Sequence, residues 1–197
     1  MRRVVVTGLG TINPLGNNVD RSWSALLAAK SGVKSISKFD VESYPCKIAA
    51  TVDDYLINEE IVSPRDQRKI DRFIALGLLA AHEALEDSGF KADEESCLRS
   101  GVMVGSGIGG LDTIYKNSSI LDNLGIRKIS PFFIPSSLIN LLSGHISIRY
   151  NLKGPNSSPV TACATGTHAI GDSFTLIKNN KADLMVCGGA EAAICSL

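Results

Sequence analysis

The chain has 197 residues, of which 44% are hydrophobic and 20% are charged, and its formal net charge at pH 7 is zero. This composition is typical of a globular protein with a sizeable core, and the neutral balance gives no reason to expect binding to nucleic acid or to a membrane surface. No run of about 18 apolar residues occurs, so we expect no transmembrane helix. The short apolar run Val4–Thr7 is typical of a first strand and not of a signal peptide.

Cysteines and histidines show neither the spacing of a metal site nor that of a disulfide framework. The five cysteines are irregularly spaced, and the three histidines are far apart in the sequence. We therefore expect free thiols, a reducing cytoplasmic compartment, and neither a metal nor another cofactor.

Apolar periodicity predicts strands that alternate with helices along the chain. The predicted strands are Val4–Thr7, Ile48–Val52, Val102–Val104, Val160–Ala162 and Leu184–Cys187. The predicted helices are Asp20–Ala29, Asp71–Asp87, a segment that ends at Leu121, Ser136–Tyr150 and Ala164–Lys178. This alternation indicates an α/β layered fold with a mostly parallel sheet, formed by the chain as one unit.

Two of the predicted helices have unusual surfaces. Apolar residues cover most of the circumference of Asp71–Asp87, which indicates burial on more than one side. The first turns of Ala164–Lys178 carry only small residues, which indicates close packing, as for a helix held between two sheets.

Cys163 is the strongest functional signal in the sequence. A predicted strand precedes it and a predicted helix follows, so its thiol should lie at a helix N-terminus, where backbone N–H groups and the helix dipole favour a thiolate. Cys163 is therefore a candidate nucleophile; the alternative is a small buried packing residue, and spacing alone does not choose between them. His168 lies about 140° further around the helix axis, so we interpret it as a hydrogen-bonded histidine and not as the base for this thiol.

The segment Gly105–Gly110 matches the dinucleotide pattern G-x-G-x-x-G after a predicted strand. The acidic residue expected about 20 residues later is missing, because the chain there reads Gly125-Ile126-Arg127-Lys128-Ile129. A nucleotide site is therefore disfavoured, and a tight turn or a close approach of a ligand to the backbone is the better interpretation.

Basic residues cluster in two places. The first cluster is Arg65, Arg68, Lys69 and Arg72, and the second is Arg127 and Lys128. Such clusters are usually solvated surface, and the functional alternative is a dock for an acidic partner or a phosphate group.

Taken in order, these segments resemble the β-ketoacyl-acyl carrier protein synthases, and most closely synthase II. The resemblance covers the whole chain, and although each motif alone is modest, the ordered set is highly specific. The segments that carry it are Arg3–Gly10, Gln67–Lys69, Gly105–Leu111, Arg127–Phe133, Thr161–Cys163 and Cys187–Glu191.

The resemblance implies a thiolase-like fold of two similar α/β halves, of which this chain corresponds to the N-terminal half, and a homodimer. It also implies fatty acid chain elongation. Cys163 would take an acyl chain from acyl carrier protein as a thioester, and malonyl-acyl carrier protein would lose carbon dioxide. The resulting carbanion would attack the thioester to give a 3-oxoacyl chain two carbons longer, with the Cys163 N–H as one donor to the oxyanion.

The same resemblance implies binding residues. Ile108 and, less directly, Ala193 match residues that line the acyl pocket, and Phe133 matches one that reaches the pocket of the partner subunit. The basic residues that match positions for docking the acidic carrier protein are Arg65, Arg68, Lys69, Arg127 and Lys128.

Members of this family are about twice as long, and their decarboxylation site takes two histidines and a lysine from the C-terminal half. No position of this chain matches those three residues. Two hypotheses follow: an N-terminal portion that is active only with its other half, on the same or a second polypeptide, or a truncated, inactive fragment that acts at most as an acyl- or carrier-binding module. We expect Cys163 to react with acyl thioesters, while the chain alone forms no 3-oxoacyl product.

Overall fold

The computed structural model describes residues 2–54 and 57–197. In chain order its helices and strands are α1 (Val19–Leu27), β1 (Val33–Ser35), β2 (Ile48–Ala50), α2 (Pro64–Gln67), α3 (Arg72–Ser88), β3 (Ser100–Gly105), α4 (Leu111–Leu124), α5 (Phe133–Ser137), α6 (Asn140–Tyr150), β4 (Asn156–Ser157), α7 (Thr165–Lys178) and β5 (Leu184–Gly189). The predicted alternation of strands and helices is confirmed, and the fold is α/β.

A parallel three-stranded sheet organises the molecule. β3 is its central strand, with β4 on one side and β5 on the other, and both pairings are parallel. All six residues of β3 are buried, as expected for a central parallel strand covered on both faces. A separate antiparallel pair joins β1 to β2, so the predicted strand Ile48–Val52 is present but shorter.

The core lies where α3 and α6 pack on one face of the sheet. Phe73 and Ile74 of α3, Leu142 and Ile146 of α6 and Val102 of β3 are each fully buried in one apolar cluster. Burial of α3 on more than one side is confirmed, because nine of its 17 residues are buried.

The two ends of α3 follow from local chemistry. The Asp71 side chain accepts a hydrogen bond from the Phe73 N–H at the N-terminus, and Gly89 ends the helix with a left-handed backbone at φ +63°. Asp71 is also buried and accepts hydrogen bonds from the amide and the hydroxyl of Thr113, which fixes the start of α3 against α4.

The opposite face of the sheet is covered by α7. Its small residues allow close packing, since a Cβ on Gly166 would lie 3.5 Å from the backbone nitrogen of Gly189 in β5. The side of α7 that carries Ile170 and Phe174 is exposed in the described part of the chain.

The predicted strand at Val4–Thr7 is wrong. This segment runs beside α3, where a Cβ on Gly8 would lie 2.1 Å from the carbonyl oxygen of Ala84. Further along, the Leu9 and Thr11 amides donate to carboxylates of α3, so backbone groups bond to side chains of a helix and not to a neighbouring strand. Val5 and Val6 are left exposed, at 58% and 76%.

One ion-pair network ties the N-terminal segment to the sheet. The Asp183 carboxylate, just before β5, pairs with Arg99 at 2.5 Å and with Arg2 at 2.7 Å. The hydrogen bond from Arg99 and then that from Arg2 lower the pKa of Asp183 to about 2.

Two further predicted elements differ from the structure. The helix predicted at Ser136–Tyr150 is divided into α5 and α6, because Leu138 is extended and the Ser137 carbonyl accepts from the Gly110 N–H instead of continuing a helix. The strand predicted at Val160–Ala162 is replaced by β4 and a 3-10 turn. The central strand ends at Gly105 beside Pro159, so the residues after Pro159 have no strand to pair with.

None of the helices in residues 2–54 and 57–197 combines the length and the apolar character needed to cross a membrane.

Candidate active site at the carboxyl ends of the strands

The carboxyl ends of the three parallel strands meet at one edge of the sheet, which is where sites form in α/β folds. The glycine loop Gly105–Gly110 leaves β3 there, the segment that starts at Ala190 leaves β5, and the chain after β4 leads to Cys163. Sequence motifs that lie far apart in the chain are therefore brought together around one thiol.

Cys163 lies in a 3-10 turn, Ala162–Ala164, directly before α7. Its side chain is exposed, so the alternative of a small buried packing residue is wrong. The amides at the start of α7 carry the positive end of the helix dipole, although the Thr165 N–H itself donates to the Ala162 carbonyl. This position suits a nucleophile whose attack on a carbonyl creates a negative oxygen beside it.

The glycine loop contacts the turn that carries the thiol. A Cβ on Gly107 would lie 3.2 Å from the backbone of Ala162, the residue before Cys163, so a larger residue would crowd this turn. Substrate bound at Ile108, the next residue of the loop, would therefore lie close to the nucleophile.

A carboxylate of the chain accepts hydrogen bonds from two amides of the glycine loop. Glu191 Oε2 accepts from the Gly107 N–H at 3.0 Å and from the Ile108 N–H at 2.9 Å. These are the donors that a phosphate would need, so the structure gives a second reason against a nucleotide site. The loop is held in place by the segment after β5.

Two of the three histidines have hydrogen-bond or ion-pair partners other than the thiol, and the third is partly buried. His168 Nδ1 lies 3.2 Å from the Thr161 hydroxyl and its Nε2 lies 3.1 Å from Asp172, which confirms the hydrogen-bonded interpretation. His82 bonds the hydroxyl of Tyr150 at 3.0 Å, a partner that the sequence did not indicate. Burial lowers the pKa of His145, which favours its neutral form.

Three of the other thiols are less suited to nucleophilic attack. Cys97 is buried, and burial raises the pKa of the Cys187 thiol in β5. Cys46 is exposed but lies in the irregular segment before β2, away from any helix N-terminus. No group of three or more potential metal ligands occurs in the described part of the chain.

The residues expected to line the acyl pocket are only partly brought together. Ala193 lines a cavity of about 1040 Å³, together with Arg68 and Phe132, but Ile108, Phe133 and Cys163 are not part of its lining. Ile108 is 51% exposed at the site edge. Phe133 begins α5 and is half-buried, and α5 contacts the glycine loop through Ser137.

The basic residues expected to dock a carrier protein lie at the surface. Arg65, Arg68, Arg127 and Lys128 are exposed, and within the described chain none has a carboxylate within 4.0 Å. Lys69 lies 4.0 Å from Asp66, and its ammonium group stands 5.6 Å from the centre of the Phe132 ring. These cations are thus available to an acidic surface.

Two site residues went unnoticed in the sequence. Glu191 ends the matched segment Cys187–Glu191, but its acceptor role gave no signal, because that role depends on a loop 84 residues earlier. Thr165 bonds the backbone on both sides of Ala162, and its position near a helix start was the one sequence feature that indicated such a role.

Comparison with known proteins gives one consistent result. The chain is 51% identical over 192 residues to 3-oxoacyl-[acyl-carrier-protein] synthase 2 of Coxiella burnetii, a match that covers 98% of this chain and 46% of that protein. It is 46% identical to the enzyme of the same name from Rhizobium meliloti, over 100% of this chain and 48% of that protein. The chain thus spans about half the length of these curated relatives.

Solved structures agree with this result. The ishigamide ketosynthase/chain length factor superposes with a TM-score of 0.84 at 27% identity, over 99% of this chain and 48% of that one. A type II PKS acyl-carrier protein in complex with its ketosynthase gives 0.77 at 28% identity, over 100% and 52%. The family model described as "Beta-ketoacyl synthase, N-terminal domain" matches residues 1–197, and the chain belongs to this family.

Proposed function

We propose that residues 1–197 form the N-terminal half of a cytoplasmic condensing enzyme that elongates fatty acids. The observation that carries the proposal is an exposed cysteine in the turn before α7, at the sheet edge where the glycine loop also lies. The relatives named 3-oxoacyl-[acyl-carrier-protein] synthase 2 support the same chemistry.

In the first step the Cys163 thiolate attacks the thioester carbonyl of an acyl-acyl carrier protein. A carbon–sulfur bond forms, the carbonyl oxygen becomes an oxyanion, and the Cys163 N–H is one donor positioned to stabilise it. Collapse of this intermediate breaks the bond to the carrier thiol, which leaves as a thiolate and takes up a proton. The acyl chain remains on Cys163 as a thioester.

In the second step malonyl-acyl carrier protein loses carbon dioxide, and the electron pair of the broken carbon–carbon bond forms a carbanion. That carbanion attacks the thioester on Cys163 and expels the cysteine thiolate, which gives 3-oxoacyl-acyl carrier protein. The two histidines and the lysine that assist decarboxylation in this family have no match in this chain, so we assign them to the C-terminal half.

The remaining sites follow the same proposal. The acyl chain is lined by Ile108 and Ala193, and across a homodimer by Phe133 of the other subunit. Arg65, Arg68, Lys69, Arg127 and Lys128 dock the carrier. The exposure of all but the half-buried Lys69 supports this role, as does the carrier complex of a related ketosynthase.

An assay with and without the other half separates a working portion from an inactive fragment. We expect 3-oxoacyl-acyl carrier protein to form when this chain is co-expressed with the C-terminal half of the Coxiella burnetii relative and supplied with both carrier substrates. We expect none from this chain alone or from a pair that carries Cys163→Ser. Product from the Cys163→Ser pair, or turnover by this chain alone, would contradict the proposal.

A further inference from the structure

The residue before the nucleophile has an unfavourable backbone conformation. Ala162 has φ +50°, in the left-handed region that side chains with a Cβ seldom adopt. The other non-glycine residues with positive φ in the described chain, Ala29, Asn151 and Asn180, follow the ends of helices, where this conformation is common. Ala162 precedes a helix instead, so something nearby must stabilise its turn.

The Thr165 hydroxyl bonds both sides of this turn. It accepts a hydrogen bond from the Thr161 N–H at 2.9 Å and donates one to the Ala162 carbonyl at 2.8 Å. One side-chain oxygen thus bonds the amide of Thr161 and the carbonyl of the strained residue, a carbonyl that also accepts from the Thr165 N–H. A helix-capping hydroxyl normally bonds forward to amides of the first turn, whereas this one bonds backward to the chain that carries Cys163.

Packing fixes the rotamer of Thr165. The residue is 3% exposed, and a Cβ on Gly105 would lie 2.5 Å from its methyl group, so the methyl fills the space that this glycine leaves at the end of β3. Because a β-branched side chain is stiff at χ1, placing the methyl also places the hydroxyl.

We propose that Thr165 is a positioning residue whose hydroxyl holds Ala162 in its left-handed conformation and so presents the Cys163 thiol at the N-terminus of α7. The inference rests on the proposed function for its purpose, which is acyl transfer to Cys163. It concerns how the thiol is presented, and that property is measurable without any acyl carrier protein.

Three substitutions test the hydroxyl of Thr165, its methyl group and the strained backbone of Ala162 separately. Thr165→Val keeps the methyl against Gly105 but can neither accept from Thr161 nor donate to Ala162. Thr165→Ser keeps the hydroxyl and loses the methyl. Ala162→Gly removes the cost of positive φ, so the turn depends less on the hydroxyl.

The test is the rate at which iodoacetamide alkylates Cys163 in the 197-residue chain, read by peptide mass spectrometry with Cys46 of the same molecule as the exposed reference thiol. We expect Thr165→Val to slow Cys163 relative to Cys46 by roughly tenfold, and Thr165→Ser to stay within about twofold of the original chain. In the Ala162→Gly background, we expect Thr165→Val to slow alkylation of Cys163 relative to Cys46 by about threefold or less.

Two outcomes would overturn the proposal. One is a Thr165→Val chain that loses thermal stability but alkylates Cys163 at the original rate, which would make the role of Thr165 merely structural. The other is a Thr165→Ser chain that is slowed to roughly a tenth of the original rate, which would assign the role to the methyl; this arm decides the question even if Thr165→Val fails to fold. Expected alkylation rates together with no acyl transfer would overturn the proposed function and leave the positioning role intact.

Discussion

At the scale of single residues, the site depends on polar contacts between segments that are distant in the sequence. The presence of Cys163 before a helix was predictable, because a cysteine between an extended segment and a small-residue helix is visible in the sequence. The left-handed backbone of Ala162 was not, since alanine carries no signal for positive φ. That geometry depends on Thr165 and on the glycine loop that follows β3.

Glu191 provides a test of the loop that carries Ile108. Its carboxylate accepts from two backbone amides, and charge-assisted hydrogen bonds are stronger than neutral ones. We expect Glu191→Ala to lower the free energy of unfolding by about 1–2 kcal/mol and Glu191→Gln by less, because glutamine keeps a neutral acceptor. Urea denaturation measures the first effect, and faster hydrogen exchange at the Gly107 and Ile108 amides, by roughly tenfold, measures the loosening of the loop.

Glu42→Ala is the matched control for this prediction, since Glu42 is exposed and its carboxylate has no hydrogen bond within the described chain. Unchanged exchange at both loop amides in Glu191→Ala would show that the carboxylate does not hold the loop.

At the scale of helices and strands, a prediction succeeded where the contacts that stabilise the element lie close together in the sequence. α3 was predicted to within one residue at each end, because its capping residues Asp71 and Gly89 and its apolar positions all lie in one stretch of sequence. Short apolar runs were less informative. Val4–Thr7 has the composition of a strand but runs along α3, and a strand requires a partner that its own sequence does not specify.

The basic residues around α2 allow a test of carrier docking. We expect Arg68→Glu to slow acyl transfer to Cys163 from an acyl carrier protein by about tenfold at low salt, because a reversed charge weakens the steering of an acidic partner. Transfer from a small acyl-pantetheine thioester should not change, since that donor needs no protein surface. Stopped reactions analysed by mass spectrometry measure both rates.

Lys91→Glu is the control for this charge reversal. Lys91 is exposed and follows the far end of α3, a helix of 17 residues and so about 25 Å long. An equal loss in both variants, or a loss with acyl-pantetheine in Arg68→Glu, would exclude a docking role for Arg68.

At the scale of the whole molecule, the chain spans about half the length of its curated relatives and leaves large apolar side chains exposed. One face of α7 is exposed beside the candidate nucleophile, and so are large apolar side chains of α1, such as Trp23 at 58% and Leu27 at 71%. Exposed apolar surface of this kind marks an interaction site. The fold class was predictable because strand–helix alternation is a property of the entire sequence. The acyl pocket was not, since Ile108, Phe133 and Cys163 do not line the cavity that Ala193 lines.

Mass spectrometry of the acylated chain shows whether Cys163 accepts the acyl chain. After incubation with an acyl-acyl carrier protein, we expect one acyl group per chain, found on the peptide that contains Cys163 and removed by hydroxylamine, as a thioester would be. Cys46→Ser should take up the same group and Cys163→Ser none. An acyl group on another residue, or a folded chain with none on Cys163, would show that Cys163 is not the acyl acceptor.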